Sequence, residues 1–207
     1  MARMAEPHSP LAPRLVLGST SVYRRDLLQR LRLPFTVSAP NVDEQPLPGE
    51  SPEALAGRLA LEKAHEVASR HPDAVVIGSD QTVDLHGRTL GKPGHRDAAV
   101  AQLLALQGQR VVFHSAVAVV HRPSGFARML IAPSTVLFRP LTLRQIETYL
   151  RLEQPYDCAG SAKCETLGIT LLAAIESDDP TALIGLPLIH TCTLLAQAGL
   201  DVLENAA

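Results

Sequence analysis

The sequence predicts a single α/β domain with two lobes around a mixed β-sheet, and three observations predict it. Strand and helix patterns alternate through the first half of the chain. Two strand patterns then follow each other with no helix between them. No long linker separates two halves, and no internal repeat is visible. A chain of 207 residues is long enough to bury roughly 70% of the surface its unfolded form exposes. The expected limits are a flexible N-terminal tail over 1–13, rich in proline and small residues, and one domain over 14–204.

The first strand is "LVLG", Leu15 to Gly18. Helical spacing follows in "STSVYRRDLLQRLRL", where Val22, Leu27, Leu28 and Leu31 share a core-facing side and Ser19, Thr20 and Ser21 are candidate caps. This strand–turn–helix gathers backbone N–H groups, hydroxyls, Arg24 and Arg25 at one helix N-terminus. Unpaired amides and the helix dipole favour an anion there. The glycine spacing of a P-loop or a dinucleotide fingerprint is missing.

A second helix starts at "SPEAL", with Ser51 as cap and Pro52 in its first turn. Its apolar stripe of Leu55, Ala56, Leu59, Ala60 and Val67 includes Lys63. That lysine either snorkels its ammonium to solvent or carries it to an anion site at the edge of the core. "VVIGSDQTV" reads as a strand from Ala74 to Gly78 that ends in Ser79, Asp80 and Gln81. "DAAVAQLLALQG" reads as a helix closed by Gly108. "VVFHSAVAVVH" and "MLIAPSTVLF" read as neighbouring strands joined through "RPSG". "TLRQIETYL" opens with a capping box, Thr142 with Gln145, and "PLIHTCTLLAQAG" gives a last amphipathic helix.

Composition narrows the function. An apolar fraction of 46% is that of a folded soluble domain, and aromatics at 3% without tryptophan leave the core to Leu, Val, Ile and Ala. A net charge of −2 gives no global field for nucleic acid or acidic lipid, so neither a stable nucleic-acid partner nor a membrane is expected. No apolar run has the length of a membrane span, and the N-terminus carries no segment of signal-peptide type. Cys158, Cys164 and Cys192 are odd in number and lack metal-site spacing, which reads as reduced thiols in a cytoplasmic protein.

The polar groups that interrupt the apolar pattern are Asp43 and Glu44 in "NVDEQP", Lys63, Asp80, Lys92 in "LGKPG", and Lys163 with Glu165 in "CAGSAKCETLGI". Each has a plain structural explanation as a loop, turn or capping residue. Together they supply acids that can hold a divalent cation and cations that can neutralise a polyphosphate. Phosphoryl transfer needs both. No Ser-His-Asp pattern and no H-E-x-x-H motif competes with this reading.

The segments "LVLGSTSVYRRDLL", "APNVDE", "LALEKA", "VIGSDQTV", "LGKP", "CAGSAKCETLGITL" and "DPTALIGLPL", in this order, resemble the Maf family of nucleoside triphosphate pyrophosphatases. The resemblance implies a cytoplasmic α/β protein with a strongly twisted, ITPase-like sheet. It also implies cleavage of a nucleoside triphosphate to the monophosphate and pyrophosphate with a divalent cation (Mg²⁺, Mn²⁺ or Co²⁺). Members are often dimeric, so a homodimer is compatible with it, although no segment of the sequence marks a symmetric interface. Carried onto these residues, it makes Ser19, Arg24, Lys63, Lys92 and Lys163 phosphate contacts. Asp80 becomes the acceptor that activates water, and Glu44 and Asp80 serve the metal.

Within the family one group acts on dTTP and UTP and another on 7-methyl-GTP. Tyr23, Gln81 and Glu165 resemble the second pattern, with tyrosine where that group usually has tryptophan. The chemistry agrees. N7-methylation makes guanine cationic, an aromatic face attracts a cation, and a carboxylate accepts from the guanine N1–H and 2-amino group. The alternatives are a dTTP/UTP pyrophosphatase of the same family and a nucleotide-binding regulator of cell division or septum formation.

Overall fold

The alternating apolar residues of the first strand explain how the sheet is covered, because they face two different cores. In the computed structural model, which describes residues 13–205, β1 (Leu15–Gly18) leads into α1 (Val22–Gln29) and β2 (Phe35–Val37). Residues 1–12 of the expected tail lie outside the described residues. The chain continues through α2 (Pro52–Arg70), β3 (Val75–Leu85), β4 (Arg88–Leu90), α3 (Arg96–Leu106), β5 (Arg110–His121), β6 (Phe126–Phe138), α4 (Leu143–Glu153), β7 (Leu172–Ser177), α5 (Leu188–Gln197) and α6 (Val202–Asn205). The strands form a mixed, twisted, open sheet in the order β2-β1-β3-β5-β6-β7, with β4 paired to part of β3. β2, β1 and β3 are parallel and the remaining pairs antiparallel.

Leu15, Leu17, Val75, Ile77, Val117 and Val119 project to one face, where Leu27 and Leu28 of α1 and Leu194 and Leu195 of α5 cover them. The intervening Val16, Val76, Ala116 and Ala118 project to the other face, against Ala56, Ala60, Ala64 and Val67 of α2. Farther along the long strands, Val83, Phe113, Val136 and Phe138 build a separate core with Leu103 of α3 and Ile146 and Leu150 of α4. These cores make the two lobes. Between them β3 and β5 carry buried Ser79, Asp80, Thr82, His114 and Ser115.

The strand expected to stop at Gly78 runs on to Leu85. Asp80 is therefore inside β3, not beyond its end. The cause is β5, which pairs with β3 without a break from Val75↔His121 to Asp84↔Val112 and so satisfies the backbone through the polar stretch. Val22 also departs from expectation: it is 49% exposed, because it stands in the first turn of α1 before the helix reaches the core. The caps at Ser51 and Thr142 form as the sequence indicates, the second as a full capping box. The short strands β2, β4 and β7 add to those read from the sequence. Among the described residues no helix is long and apolar enough to cross a membrane, and the three cysteines are free.

Candidate active site

The site begins with a notch in the sheet. β1 pairs with β3 only as far as Gly18↔Gly78, because the chain then turns into α1. β4 begins to pair with β3 only at Val83↔Leu90. Between these points Ser79, Asp80, Gln81 and Thr82 keep β5 as neighbour on one side and lack a strand on the other. The notch is flanked by Ser19–Ser21, which follow β1, and by Gly91 and Lys92, which follow β4.

Two connected chambers open from it. One, of about 430 Å³, is lined by Ser19, Arg24, Glu44, Lys63, Asp80 and Lys92 among others. The other, of about 320 Å³, is lined by Tyr23, Gln81, Asp157, Cys158, Glu165 and Gly185 among others. Thr20, Ser21, Arg24, Gln81, Lys92 and Ala159 border both. The strand period explains the division. Asp80 and Thr82 point to the α2 face, whereas Ser79 and Gln81 point to the face of the 182–185 turn.

In the first chamber Lys63 is only 4% exposed. Its Nζ lies 2.7 Å from Asp80 Oδ1 and 2.6 Å from Glu44 Oε1. The ammonium does not snorkel to solvent; two carboxylates hold it at the chamber wall. Asp80 Oδ2 has no side-chain partner among the described residues. The helix can come this close because Gly78 faces it: a Cβ there would stand 2.2 Å from the Ala60 carbonyl oxygen and 2.5 Å from the Ala64 nitrogen. Thr82 Oγ1 ties the same strand to the start of α2, donating to the Pro52 carbonyl at 2.7 Å. Burial pushes the Glu44 carboxyl up, but the hydrogen bond and charge of Lys63, with Lys92 and Arg24 nearby, outweigh it and hold the group below the ordinary range.

Arg24 is fixed by backbone. Its Nε donates to the Gly185 carbonyl and its Nη1 to the Ser79 carbonyl, both at 2.9 Å. Burial lowers its pKa, and the charges of Asp80 and Glu44 oppose that shift. Ser19 Oγ accepts from the Ser21 amide at 3.2 Å, and Ser21 caps α1. Lys92 is exposed on the loop after β4, which is pinned where the Gly94 amide donates to the Tyr156 carbonyl at 3.0 Å. Arg25 lines neither chamber and pairs with Asp26 at the surface. Asp43 accepts from the Gln45 amide within its own loop, so of that acidic pair only Glu44 reaches the site.

In the second chamber Gln81 donates through Nε2 to Ser115 Oγ at 2.7 Å and to the Ala182 and Leu183 carbonyls at 3.1 Å. Carbonyls only accept, so this sets the amide orientation and leaves Oε1 as the acceptor available to the chamber. Glu165 is exposed and has no ion-pair partner among the described residues. Tyr23 Oη donates to Asp157 Oδ2 at 3.2 Å, and burial is the main cause that pushes its pKa up to about 12. Lys163, expected as a phosphate contact, lines neither chamber. Its Nζ lies 3.6 Å from Asp157 Oδ1 and 5.6 Å from the centre of the Tyr23 ring.

Two parts of the site were missed by sequence reasoning. Asp157, in "QPYDCAG", has the signal of an ordinary turn residue. The turn at 182–185 acts through its carbonyls, which carry no side-chain signature. Asp179 organises that turn: its carboxylate accepts from Thr181 and from the Ile189 amide at the start of α5.

The model of the Maf-like protein family matches residues 14–198. The chain is 62% identical over 197 residues to a 7-methyl-GTP pyrophosphatase of Polaromonas sp. strain JS666, covering 95% of this chain and 90% of the relative. It is 56% identical over 194 residues to a protein of the same name from Albidiferax ferrireducens, covering 94% and 98%. A third, from Xanthomonas campestris pv. campestris, is 55% identical over 192 residues, covering 93% and 100%.

Proposed function

The chain belongs to the Maf-like family, and from that premise we propose that it hydrolyses 7-methyl-GTP to 7-methyl-GMP and pyrophosphate. The observation that carries the reading is the partition of the cleft. Acids and cations line one chamber, while Tyr23, Gln81 and Glu165 meet in the adjoining one.

The triphosphate takes the first chamber, where Ser19, Arg24, Lys63 and Lys92 contact its oxygens. Charge-assisted hydrogen bonds to phosphate are strong, and Arg24, held by two carbonyls, keeps its remaining donors oriented. Water attacks at the α–β phosphoanhydride. Its oxygen bonds to phosphorus, the bridging bond breaks toward pyrophosphate, and Asp80 accepts the proton. Lys63 holds Oδ1 of that carboxylate, and Oδ2 is the oxygen left to take the proton.

Among the described residues no group of three or more His, Cys, Asp and Glu side chains could by itself hold a metal ion. Glu44 and Asp80 nevertheless fit a hard divalent cation such as Mg²⁺, Mn²⁺ or Co²⁺. They already share one cationic group, and Mg²⁺ sites commonly use one or two carboxylates, with substrate phosphates and water completing the shell. Bound there, the cation would neutralise phosphate charge and lower the pKa of water.

The base takes the second chamber. Glu165 and Gln81 Oε1 offer acceptors to the guanine N1–H and 2-amino group, and the Tyr23 ring attracts the methylated, cationic purine. Uracil, with carbonyls on both sides of its N3–H, matches these acceptors poorly. A cytoplasmic homodimer that acts on free nucleotide is the accompanying expectation from the family. Cell fractionation and light scattering test it.

Pyrophosphate release measured over 7-methyl-GTP, GTP, dTTP and UTP with each divalent cation tests the main reading. Preference for 7-methyl-GTP is expected. Preference for dTTP and UTP would overturn the base assignment, and nucleotide binding without turnover would favour a regulatory role.

A further inference from the structure

The base chamber is bordered by one half of an ion pair that the reading above leaves unused: Asp157 lines it, whereas Lys163, its side chain 13% exposed, lines neither chamber. Asp157 lines the chamber beside Tyr23 and Glu165, and its side chain is 59% exposed. One carboxylate oxygen accepts from the Tyr23 hydroxyl at 3.2 Å. The other is 3.6 Å from Lys163 Nζ. That same ammonium stands over the Tyr23 ring, 5.6 Å from its centre and within cation–π range. An aromatic ring and a carboxylate that line one chamber suit a cationic ligand, and Lys163 approaches both from outside that lining.

We propose that Asp157 is a further specificity determinant, a second carboxylate for a positively charged nucleobase, and that Lys163 is its internal counter-ion, which competes for that charge from outside the chamber. The proposal deepens the 7-methyl-GTP reading and rests on it. A base with a delocalised positive charge is attracted by the Asp157 carboxylate that lines the chamber, whereas neutral guanine gains no such attraction. Lys163 offsets part of that carboxylate's charge and so limits the discrimination. Two further observations fit. Lys163 is anchored from its backbone, where its amide donates to the Tyr149 hydroxyl at 3.1 Å and Gly168 packs so closely that a Cβ would meet the Lys163 carbonyl oxygen at 2.5 Å. The backbone of Lys163 is therefore fixed beside the chamber, with its ammonium between Asp157 and the Tyr23 ring.

The two partners make predictions of opposite sign. Asp157→Asn keeps an acceptor for the Tyr23 hydroxyl but removes the charge. It should lower the ratio of kcat/KM for 7-methyl-GTP over GTP by about three- to tenfold, the range of a partly screened charge-assisted contact. Lys163→Met keeps the stem and removes the competing cation. It should raise the same ratio by about two- to threefold, since a like charge near the surface is partly screened. GTP carries the same triphosphate, so any effect on phosphate binding cancels in the ratio. Lys163→Gln provides a second removal of the charge, and circular dichroism checks that each variant is folded. Structural damage would not move the ratio in opposite directions in the two variants. The proposal is overturned if Asp157→Asn leaves the ratio unchanged, or if both lysine variants fail to raise it. If the wild-type enzyme shows no preference for 7-methyl-GTP over GTP, the base reading fails and this inference falls with it. A wild-type preference that survives Asp157→Asn would sink the inference alone.

Discussion

The two chambers are built differently. The chamber proposed for the triphosphate takes three groups from regular elements: Asp80 within β3, Lys63 on α2, and Arg24 in the first turn of α1, clamped by backbone carbonyls. It adds Ser19, Glu44 and Lys92 from connecting segments. Lys63 is buried and paired with two acids. The base chamber is walled largely by connecting segments, the loop around Asp157 to Glu165 and the turn at 182–185, and its charged groups are more exposed. The contrast teaches where each property resides. Under the proposed reading, the buried Lys63–Asp80 pair of the reaction site is held by the scaffold, whereas base selection joins Tyr23 of α1 and Gln81 of β3 to carboxylates carried on loops. A substitution in the first chamber should slow all nucleotides together, whereas one in the second should change their ranking.

The largest expected effect is the harshest test of that division. Asp80→Asn should keep its circular dichroism spectrum yet lose about 10²–10⁴ in pyrophosphate release from every nucleotide, the usual scale for removing a general base. A folded variant retaining more than about a tenth of the wild-type rate would remove Asp80 from the chemistry. Lys63→Met should cost less, about 10- to 100-fold in kcat/KM, and nearly equally for 7-methyl-GTP and GTP. It takes away one charge-assisted contact and leaves Glu44 and Asp80 facing each other. A change confined to one nucleotide would break the proposed division.

In the other chamber, Glu165→Gln nearly preserves shape and removes charge, so the preference for 7-methyl-GTP over UTP should fall. Adding Tyr23→Arg replaces the π face with a like charge. The double variant should lose at least about tenfold of that preference, about 1.4 kcal/mol. The two residues share a proposed ligand, so a double-mutant cycle is the proper measurement. An unchanged ratio would defeat base recognition by these residues without touching the reaction.

The smallest effect concerns pH. The Glu44 pKa in the folded protein is depressed below its ordinary value of 4.5, so its pairing stabilises the fold above that value and is lost as pH falls through the depressed one. Glu44→Gln should therefore narrow the gap in Tm between pH 7 and pH 3. The change should be no more than about 2–4 °C, because the carboxylate is largely exposed and screened. A gap that fails to narrow would mean that Glu44 contributes no stability through this pair.

What could be read from the sequence follows the same line between scaffold and loop. The stripe on α2 placed Lys63 toward the core, because helical periodicity is a local property that packing preserved. The capping box at Thr142 was equally local. The end of β3 is not marked by the end of its apolar run, because the strand continues wherever β5 supplies partners. β2 and β4 have three residues each, and β7 is exposed at most positions, so none shows a usable alternation. Asp157 and the carbonyls that orient Gln81 depend on loops meeting across more than a hundred residues of chain, as in the bond from Gln81 to Ala182. No local pattern encodes that meeting.

The missing side chain at Gly78 sets a tolerance. The spacing between the lysine and the aspartate is fixed by main chain resting on main chain, with Ala60 and Ala64 on one side and β3 on the other. Such a spacer has no rotamers to anneal and no methylene to gain or lose. Sensitivity is instead concentrated at one position, where a single added carbon would act as a shim between α2 and the strand that carries Asp80.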